Sequence, residues 1–488
     1  MTKPIVWTIA GTDPSGGAGV QADLKTMNAL GVHGGSAITA VIAQNTMGVK
    51  KIEPVSGEMM DAQLNGLRED IPPVAVKIGM LGTETAVRVV ARHMGELKVF
   101  TVYDPVMVSG SGHSLFDEGA LGALKAELLP KVSLLTPNIP EAEALLRRRI
   151  KDPVEMIQAS VDLVGLGVQA VYLKGGHMQD VGGFSQDYLY DGRAGWWLTS
   201  PRRKGIQTHG TGCTMSSALA AFCALGFGLG DCAVLAKAYV NQGIRRSGGI
   251  GRARTPVCDD GWPEDPRDLP WITARSDEAC EKTVFPGVES GVIGLYPIVD
   301  RASWLEKLLP LGVKTVQLRI KDMTGALLEN EIRQGIEIGK RYSANLYIND
   351  QWPLALKYRA YGVHLGQDDL PGADLKALAA AGLRLGISTH NYEEIARANA
   401  VRATYVAIGT VYPTSSKSID YVPLGLEPFR RMRRLIEGPV VAIGGITLER
   451  APELREAGAD GMAVIADIVK AGNLKKRVQD WLNYFGSR

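Results

Sequence analysis

Short apolar runs rich in β-branched residues alternate with segments of helical periodicity along most of the chain, the pattern of an α/β architecture whose strands are covered on both faces. In the C-terminal part the runs are GVIGLYPIVD, GVKTVQLRI, ANLYIND, YGVHLG, LRLGIST, TYVAIGTVY, PVVAIGGI and GMAVIADIV. Eight buried strands alternating with helices within about 200 residues predict a (β/α)8 TIM barrel near the lower size limit for that fold. In the N-terminal part IVWTIAGTD, SAITAVIAQN, AVKIGML, FTVYDPV, VSLLTPN and QAVYLKGG alternate with helix-like segments, and a polar hairpin, DYLYDGRAGWWLTS, follows. This predicts a doubly wound α/β sheet.

Between about residues 251 and 290 the regular pattern breaks into a segment laced with proline and mixed charge. The expected division is a domain at 1–255, a linker at 256–290 and a second domain at 291–488. Trp262 and Trp271 are unusual in a free tether, so the linker is expected to dock on a domain. A chain of 488 residues exceeds what one hydrophobic core serves, in keeping with this division.

Composition narrows the partners. Apolar residues make up 45% and charged residues 22%, those of an ordinary globular protein and not of a disordered one. A net charge of +2 leaves no basic face for nucleic acid, while small anionic ligands remain open. No run approaches the roughly 20 apolar residues of a membrane helix, and MTKPIVWTIAGTD enters a strand with no signal-peptide layout. A cytoplasmic home is expected, with no membrane partner. The five cysteines, at 213, 223, 232, 258 and 280, contain no CxxC pair, so neither a disulfide framework nor a zinc site is suggested.

Two glycine-rich stretches carry the chemistry of the first half. Residues 10–19, AGTDPSGGAG, lie between a strand and a helix beginning near Val20, where their amides could wall a ligand. No GK[ST] follows, so this is not a Walker A loop, and taken alone the cluster would equally serve a tight turn. Residues 208–214, THGTGCT, open a long apolar helix, where unpaired amides and the positive helix end favour an anion. A thiol there is expected to have a depressed pKa, making Cys213 a candidate proton acceptor, although a small buried residue packing at a helix start fits equally.

The series AGTDPSGGAGVQADLKT, AVIAQNT, KIGML, DPVM, TPNIPEAE, LKGGH and THGTGCT, in this order, closely resembles the hydroxymethylpyrimidine/phosphomethylpyrimidine kinase family of the ribokinase-like superfamily over about residues 1–260. Sugar kinases of that superfamily usually carry aspartate where this chain has Cys213. The resemblance implies that Cys213 is the catalytic base and that the amides of Gly210, Thr211 and Gly212 stabilise the transferring phosphoryl group. It places Asp23 and Gln44 on the pyrimidine, with Gly11 and Met80 lining the same pocket. Asp104 and Glu141 would hold Mg2+, partly through water, and Lys174 would pair with a phosphate of the co-substrate ATP. Without the resemblance, Asp104 before a proline reads as a turn residue and Glu141 as a first-turn helix acid. The family phosphorylates the hydroxymethyl group and then the monophosphate, and related kinases often form dimers, so a homo-oligomer is expected.

In the barrel half Gln317, Arg319 and Lys321 alternate at one strand end and point the same way. Asn349 and Asp350 end the third strand, and Asp368 and Asp369 follow the fourth. Carboxylates beside basic groups at a barrel mouth suggest a divalent metal bridging a diphosphate. Gly444 and Gly445 before a helix would supply phosphate-binding amides, and Thr414, Ser415, Ser416 and Lys417 form a loop suited to cover phosphates. Each piece has an ordinary reading as a solvated cation, a helix cap or a plain loop.

The series VQLRIKD, YIND, GVHLGQDD, LGIST, GTVYPTSSK and AIGGI resembles the thiamine-phosphate synthases over about residues 291–485. That resemblance implies Mg2+ on Asp350 and Asp369, and pyrimidine diphosphate on Gln317, Arg319, Lys321, Asn349, Ser388 and Lys417. Thr414, Ser416, Gly444 and Ile465 would hold the thiazole phosphate. The chain has Ala466 where the family often has serine, so one hydroxyl contact to phosphate is expected to be missing. Two other readings stay open: a pyridoxal- or sugar-type kinase joined to an unrelated phosphate-binding barrel, and a non-catalytic vitamin sensor that keeps both folds.

Overall fold

The computed structural model describes residues 2–107, 118–176, 178, 182–203, 208–278, 283–288, 293–414 and 422–486. The chain forms two compact units, Met1–Cys280 and Glu281–Arg488. No helix among the described residues is long and apolar enough to cross a membrane.

In the first unit, nine strands among the described residues form one sheet. They are β1 (Ile5–Ala10), β2 (His33–Ile38), β3 (Ala75–Ile78), β4 (Phe100–Tyr103), β5 (Leu134–Leu135), β6 (Ala170–Leu173), β7 (Phe184–Tyr190), β8 (Gly195–Pro201) and β9 (Trp271–Thr273). Their order across the sheet is β9-β8-β7-β6-β5-β4-β3-β1-β2. From β2 to β6 neighbouring strands are parallel, and β7, β8 and β9 continue antiparallel. Strands β3 and β6 are buried at every position, which is why they read as unbroken apolar runs and not as alternation. The helix Thr211–Ala224, rich in small residues and buried over most of its length, lies close against the sheet for the same reason.

The run SAITAVIAQN is two strands and not one. Its first residues finish β2, and Thr39 turns the chain, its amide donating to the Ala10 carbonyl and its hydroxyl to the Met80 carbonyl. Ala40–Asn45 then leaves the sheet and pairs antiparallel with Gly48–Pro54. In this hairpin Ile42 is buried and Val41 exposed, the period-2 pattern of a strand covering something on one face only.

Within the segment 256–290, residues up to 280 belong to the first unit, in keeping with a docked connection. Trp271 lies in β9 and pairs with Thr199 of β8, while Trp262 packs edge-on against Phe222 with ring centroids 5.1 Å apart. An edge strand of three residues among prolines leaves no periodic signal in the sequence.

In the second unit eight parallel strands among the described residues close a barrel. They are β10 (Gly294–Val299), β11 (Thr315–Leu318), β12 (Asn345–Asn349), β13 (Gly362–Leu365), β14 (Arg384–Thr389), β15 (Tyr405–Gly409), β16 (Val440–Ile443) and β17 (Gly461–Val464), with β17 pairing back onto β10. These are the eight runs read from the sequence. Tyr296, Tyr347 and Tyr405 fill the interior with small partners such as Ala407 and Ala463. Gly386 is part of that fit, since a Cβ there would overlap the Tyr405 ring.

Candidate active sites

The strand ends of the first unit surround a cavity of about 300 Å3. Gly11 follows β1, Met80 follows β3, Asp104 follows β4, and Asn138 and Glu141 follow β5. Lys174 follows β6, while Ile42 and Gln44 come from the hairpin. Open parallel sheets place ligands at such C-terminal strand ends. The glycine loop is held from within by Asp13, whose buried carboxylate accepts from Ser15 N (2.9 Å), Ser15 Oγ (2.7 Å), Gly17 N (3.1 Å) and Ala18 N (2.8 Å). Burial works against ionisation there, but bonds from His209 and Ser15 hold the Asp13 carboxyl well below its usual range.

The cavity floor is the start of the helix α1 (Thr211–Ala224). Its N-cap Gly210 has φ 83° and no side chain caps the first turn, so the amides there are open to a ligand. A Cβ on Gly210 would collide with the Gly17 carbonyl, so glycine is required both by conformation and by space. A methyl on Gly212 would come within 3.1 Å of Asp104 Oδ2 and 3.3 Å of Lys174 Nζ, which locates those charges directly over the helix start.

Cys213 lines the cavity as expected, but its thiol is not acidified. Burial pushes it up to about 11, against the lowering effect of the Lys77 ammonium and the Gly19 backbone, and with Asp23 and Asp104 adding to the rise. In the ligand-free protein the alkylation rate of Cys213, followed by peptide mass spectrometry, should therefore keep rising with pH beyond 9; a plateau reached by pH 7 would contradict it.

Asp23, expected on the pyrimidine, is not among the residues that line the cavity. It is fully buried behind the cavity wall, where Oδ2 accepts from Thr8 Oγ1 (2.6 Å) and Lys77 Nζ (2.6 Å) and Oδ1 from Ser217 Oγ (2.7 Å). Its partner Lys77, itself fully buried, is among the residues that line the cavity. Across the cavity Asp104 Oδ1 accepts from Lys174 Nζ at 2.7 Å. Glu141 caps its own helix by accepting from Asn138 N at 2.8 Å, and burial together with Asp104, opposed by Lys174, raises its carboxyl to about 7. Lys174 thus lies between the two carboxylates, paired with Asp104 and acting on Glu141.

The barrel mouth holds a cavity of about 470 Å3, lined by Gln317, Arg319, Asn349 and Ser388 on one side and by Thr414, Gly444 and Ile465 on the other. Lys321, Asp350 and Asp369 are not among the residues that line it; Lys321 forms an ion pair with Asp350. Asp350 itself is a non-glycine residue at φ 58°, backbone strain of the kind kept at functional positions. Burial and the Asp350 carboxylate raise the Asp369 carboxyl, which also accepts from Gly366 N at 3.2 Å. Gly444 (φ 99°) and Gly445 (φ 62°) turn the chain past Thr410 and Pro413, and Ala466 lines the cavity with no hydroxyl to offer. Ser416 and Lys417 lie outside the described residues.

Sequence reasoning missed His364, which lines this cavity from β13. It is buried, with Nδ1 2.7 Å from Tyr405 Oη and Nε2 2.8 Å from Ser388 Oγ. Burial, opposed by Asp350 and supported by Arg319, lowers its pKa from 6.5 to about 4. Between pH 6.5 and 4 the unfolded chain binds this proton and the folded one does not, so stability falls on acidification through that window, by up to about 3 kcal/mol. Denaturant unfolding of the second unit should be steeper in pH for wild type than for His364→Gln; equal slopes would contradict burial of a neutral imidazole. Lys77, Arg254, Arg450 and Lys470 also line the two cavities without having been singled out.

Among the described residues no cluster of three or more histidine, cysteine, aspartate or glutamate side chains could hold a metal. Each carboxylate pair fits a hard cation that keeps water and takes phosphate oxygens for its remaining positions, as Mg2+ does. It fits neither zinc nor any metal needing a full protein cage.

Comparison with known proteins agrees with this chemistry. Residues 13–258 match the family model described as phosphomethylpyrimidine kinase, and residues 295–468 the one described as thiamine monophosphate synthase. The chloroplastic thiamine biosynthetic bifunctional enzyme TH1 of Arabidopsis thaliana is 33% identical over 475 residues, 95% of this chain and 89% of that protein. The thiamine-phosphate synthase of Salmonella paratyphi B is 48% identical over 195 residues, covering 40% of this chain and 92% of that protein. The pyridoxal kinase of Staphylococcus aureus in complex with ADP superposes with a TM-score of 0.51 at 30% identity, over 56% of this chain and 98% of that one. The chain thus belongs to the bifunctional thiamine-biosynthesis enzymes, in which a phosphomethylpyrimidine kinase is fused to a thiamine-phosphate synthase.

Proposed function

We propose that the first unit uses ATP to phosphorylate 4-amino-5-hydroxymethyl-2-methylpyrimidine and then its monophosphate, and that the second joins the resulting diphosphate to thiazole phosphate, giving thiamine phosphate and pyrophosphate. The observation that carries this reading is shared by both units. Each sets a carboxylate pair and a lysine at its strand ends. Asp104, Glu141 and Lys174 line the first cavity over the start of α1. Asp369 and the Asp350–Lys321 ion pair follow barrel strands whose neighbours Arg319 and Asn349 line the second cavity together with Gly444 and Gly445. That combination suits phosphate esters carried with Mg2+, which would screen the phosphate charge in both reactions.

In the kinase cavity the amides of Gly210, Thr211 and Gly212 receive the transferring phosphoryl group, and Lys174 neutralises nucleotide phosphate. Gln44, Gly11 and Met80 contact the pyrimidine, and Cys213 takes the hydroxyl proton. Asp23 acts through Lys77, whose ammonium offsets the charge that Cys213 gains.

In the barrel, Arg319, Lys321 and Asn349 bind the diphosphate and draw off pyrophosphate as it leaves the methylene carbon. The thiazole nitrogen attacks the pyrimidine cation so formed, a step that needs no strong general base. Thr414, Gly444 and Ile465 hold the thiazole phosphate, with Ser416 and Lys417 assigned by resemblance alone. The protein is proposed to act in the cytoplasm as a homodimer, on small molecules only.

Incubating the protein with the hydroxymethylpyrimidine and Mg2+-ATP and following 31P NMR should show the monophosphate and then the diphosphate. Absence of both would overturn the kinase half of the reading.

A further inference from the structure

Gln317 and Ser388 lie on different strands of the barrel and line the same cavity. They are joined through the barrel interior by an unbroken series of hydrogen bonds. Gln317 Nε2 lies 3.3 Å from Tyr296 Oη, and Tyr296 Oη lies 2.7 Å from Tyr405 Oη. Tyr405 Oη lies 2.7 Å from His364 Nδ1, and His364 Nε2 lies 2.8 Å from Ser388 Oγ. Gln317, Tyr296, Tyr405 and His364 are each at most 5% exposed, so no water reaches the interior links to stand in for a missing partner.

Each hydroxyl has one proton to give, and a neutral imidazole has one donor and one acceptor nitrogen. A hydroxyl oxygen can accept twice, but here that would leave its own buried proton without a partner. With every link made and every buried proton used, each group between the two ends donates to one neighbour and accepts from the other, so the whole series runs in a single direction. In one direction Gln317 donates to Tyr296, Tyr296 to Tyr405, Tyr405 to His364 Nδ1, and His364 Nε2–H to Ser388. The cavity then meets the Gln317 carbonyl oxygen, an acceptor, and the Ser388 O–H, a donor. In the other direction the amide is turned over, the imidazole proton sits on Nδ1, and Ser388 spends its proton on Nε2. The cavity then meets an amide N–H and the Ser388 lone pairs. A mixed state leaves a buried proton or lone pair without a partner, at the cost of desolvating that group unpaired.

We propose that Tyr296, Tyr405 and His364 are positioning residues that couple Gln317 to Ser388, and that this coupling selects a 4-aminopyrimidine diphosphate over its 4-oxo counterpart. The inference rests on the reading of this cavity as the pyrimidine diphosphate site. An aminopyrimidine offers an exocyclic N–H donor and ring-nitrogen acceptors, which the first direction matches, with the amino group on Gln317 Oε1 and a ring nitrogen on Ser388 Oγ–H. That is also the direction in which Gln317 Nε2 faces Tyr296. The 4-oxo compound offers a carbonyl and a ring N–H, the opposite pattern. Either end alone could adapt by rotating one group; coupled ends must reverse the whole series, and that is what makes the site discriminate.

The test compares kcat/KM of the full chain for the 4-amino and 4-oxo pyrimidine diphosphates with thiazole phosphate in excess, in wild type, Tyr405→Phe and Tyr296→Phe. Both substitutions cut the series at interior residues that do not line the cavity. The preference for the amino compound should fall at least about tenfold in each, mostly through KM for the two pyrimidines. A wild-type preference retained by both active variants overturns the proposal. A wild type that turns over neither compound overturns the reading of the site, and the proposal falls with it. Without any reaction, 15N NMR of histidine-labelled wild type with the amino substrate bound should find the His364 proton on Nε2, the resonance being assigned by its loss in His364→Gln. A proton on Nδ1 overturns the proposed direction.

Discussion

Replacing Cys213 by alanine is expected to lower kinase turnover by about 10²–10⁴-fold, while thiamine phosphate is still made at the wild-type rate from preformed pyrimidine diphosphate. The expectation follows from where the thiol sits. It is in the first turn of α1, inside the cavity, beside amides that no side chain caps. Removing it leaves those amides, Lys174 and the carboxylates in place, so binding and phosphoryl stabilisation persist and only the proton acceptor is lost. Because burial holds the free thiol near 11, the reactive thiolate is the minor species at neutral pH. Wild-type kcat/KM for the hydroxymethylpyrimidine should accordingly climb about tenfold per pH unit above neutrality, and that slope should vanish in the alanine variant. Activity within about threefold of wild type for Cys213→Ala would remove the base assignment and leave the helix amides as the main source of catalysis.

Asp350→Asn is expected to cost the synthase at least about 10²-fold in kcat/KM and to leave the kinase untouched. Asp350 faces Asp369 closely enough for the latter's carboxyl to be raised, and Lys321 bridges part of that repulsion by pairing with Asp350. Neutralising Asp350 removes half of a two-carboxylate cation site and frees Lys321 from its partner. Because the repulsion is relieved, the variant should not unfold more readily than wild type, which separates a functional loss from a structural one. Unchanged turnover at limiting Mg2+ would remove the metal assignment.

Most of the barrel was legible in the chain. All eight strands read from the pattern are the eight that close it, because strands buried on both faces are short, apolar and bounded by polar ends. The strand-end position of Gln317, Arg319, Asn349 and Ser388 followed from the same pattern, and these side chains share one cavity. What stayed hidden depends on partners distant in sequence. Lys77 stands alone in the apolar run AVKIGML and His364 alone in YGVHLG, and a single polar residue inside such a run is a sign of buried pairing. The partners, Asp23 and Tyr405, are 54 and 41 residues away, so neither pair could be drawn from spacing. The thiol of Cys213 misled for a related reason. Its place at a helix start is visible in THGTGCT, but the burial that outweighs the helix end comes from the whole cavity wall. Asp23, whose neighbours are Thr8, Lys77 and Ser217, could not be told from a ligand contact without them.

The central claim, that one chain carries both reactions in sequence, is tested by a single incubation of the protein with the hydroxymethylpyrimidine, thiazole phosphate, ATP and Mg2+, followed by mass spectrometry. Wild type should form thiamine phosphate, Cys213→Ala should form almost none, and adding the pyrimidine diphosphate should restore it. Thiamine phosphate absent from wild type whether the free pyrimidine or its diphosphate is supplied would contradict the claim.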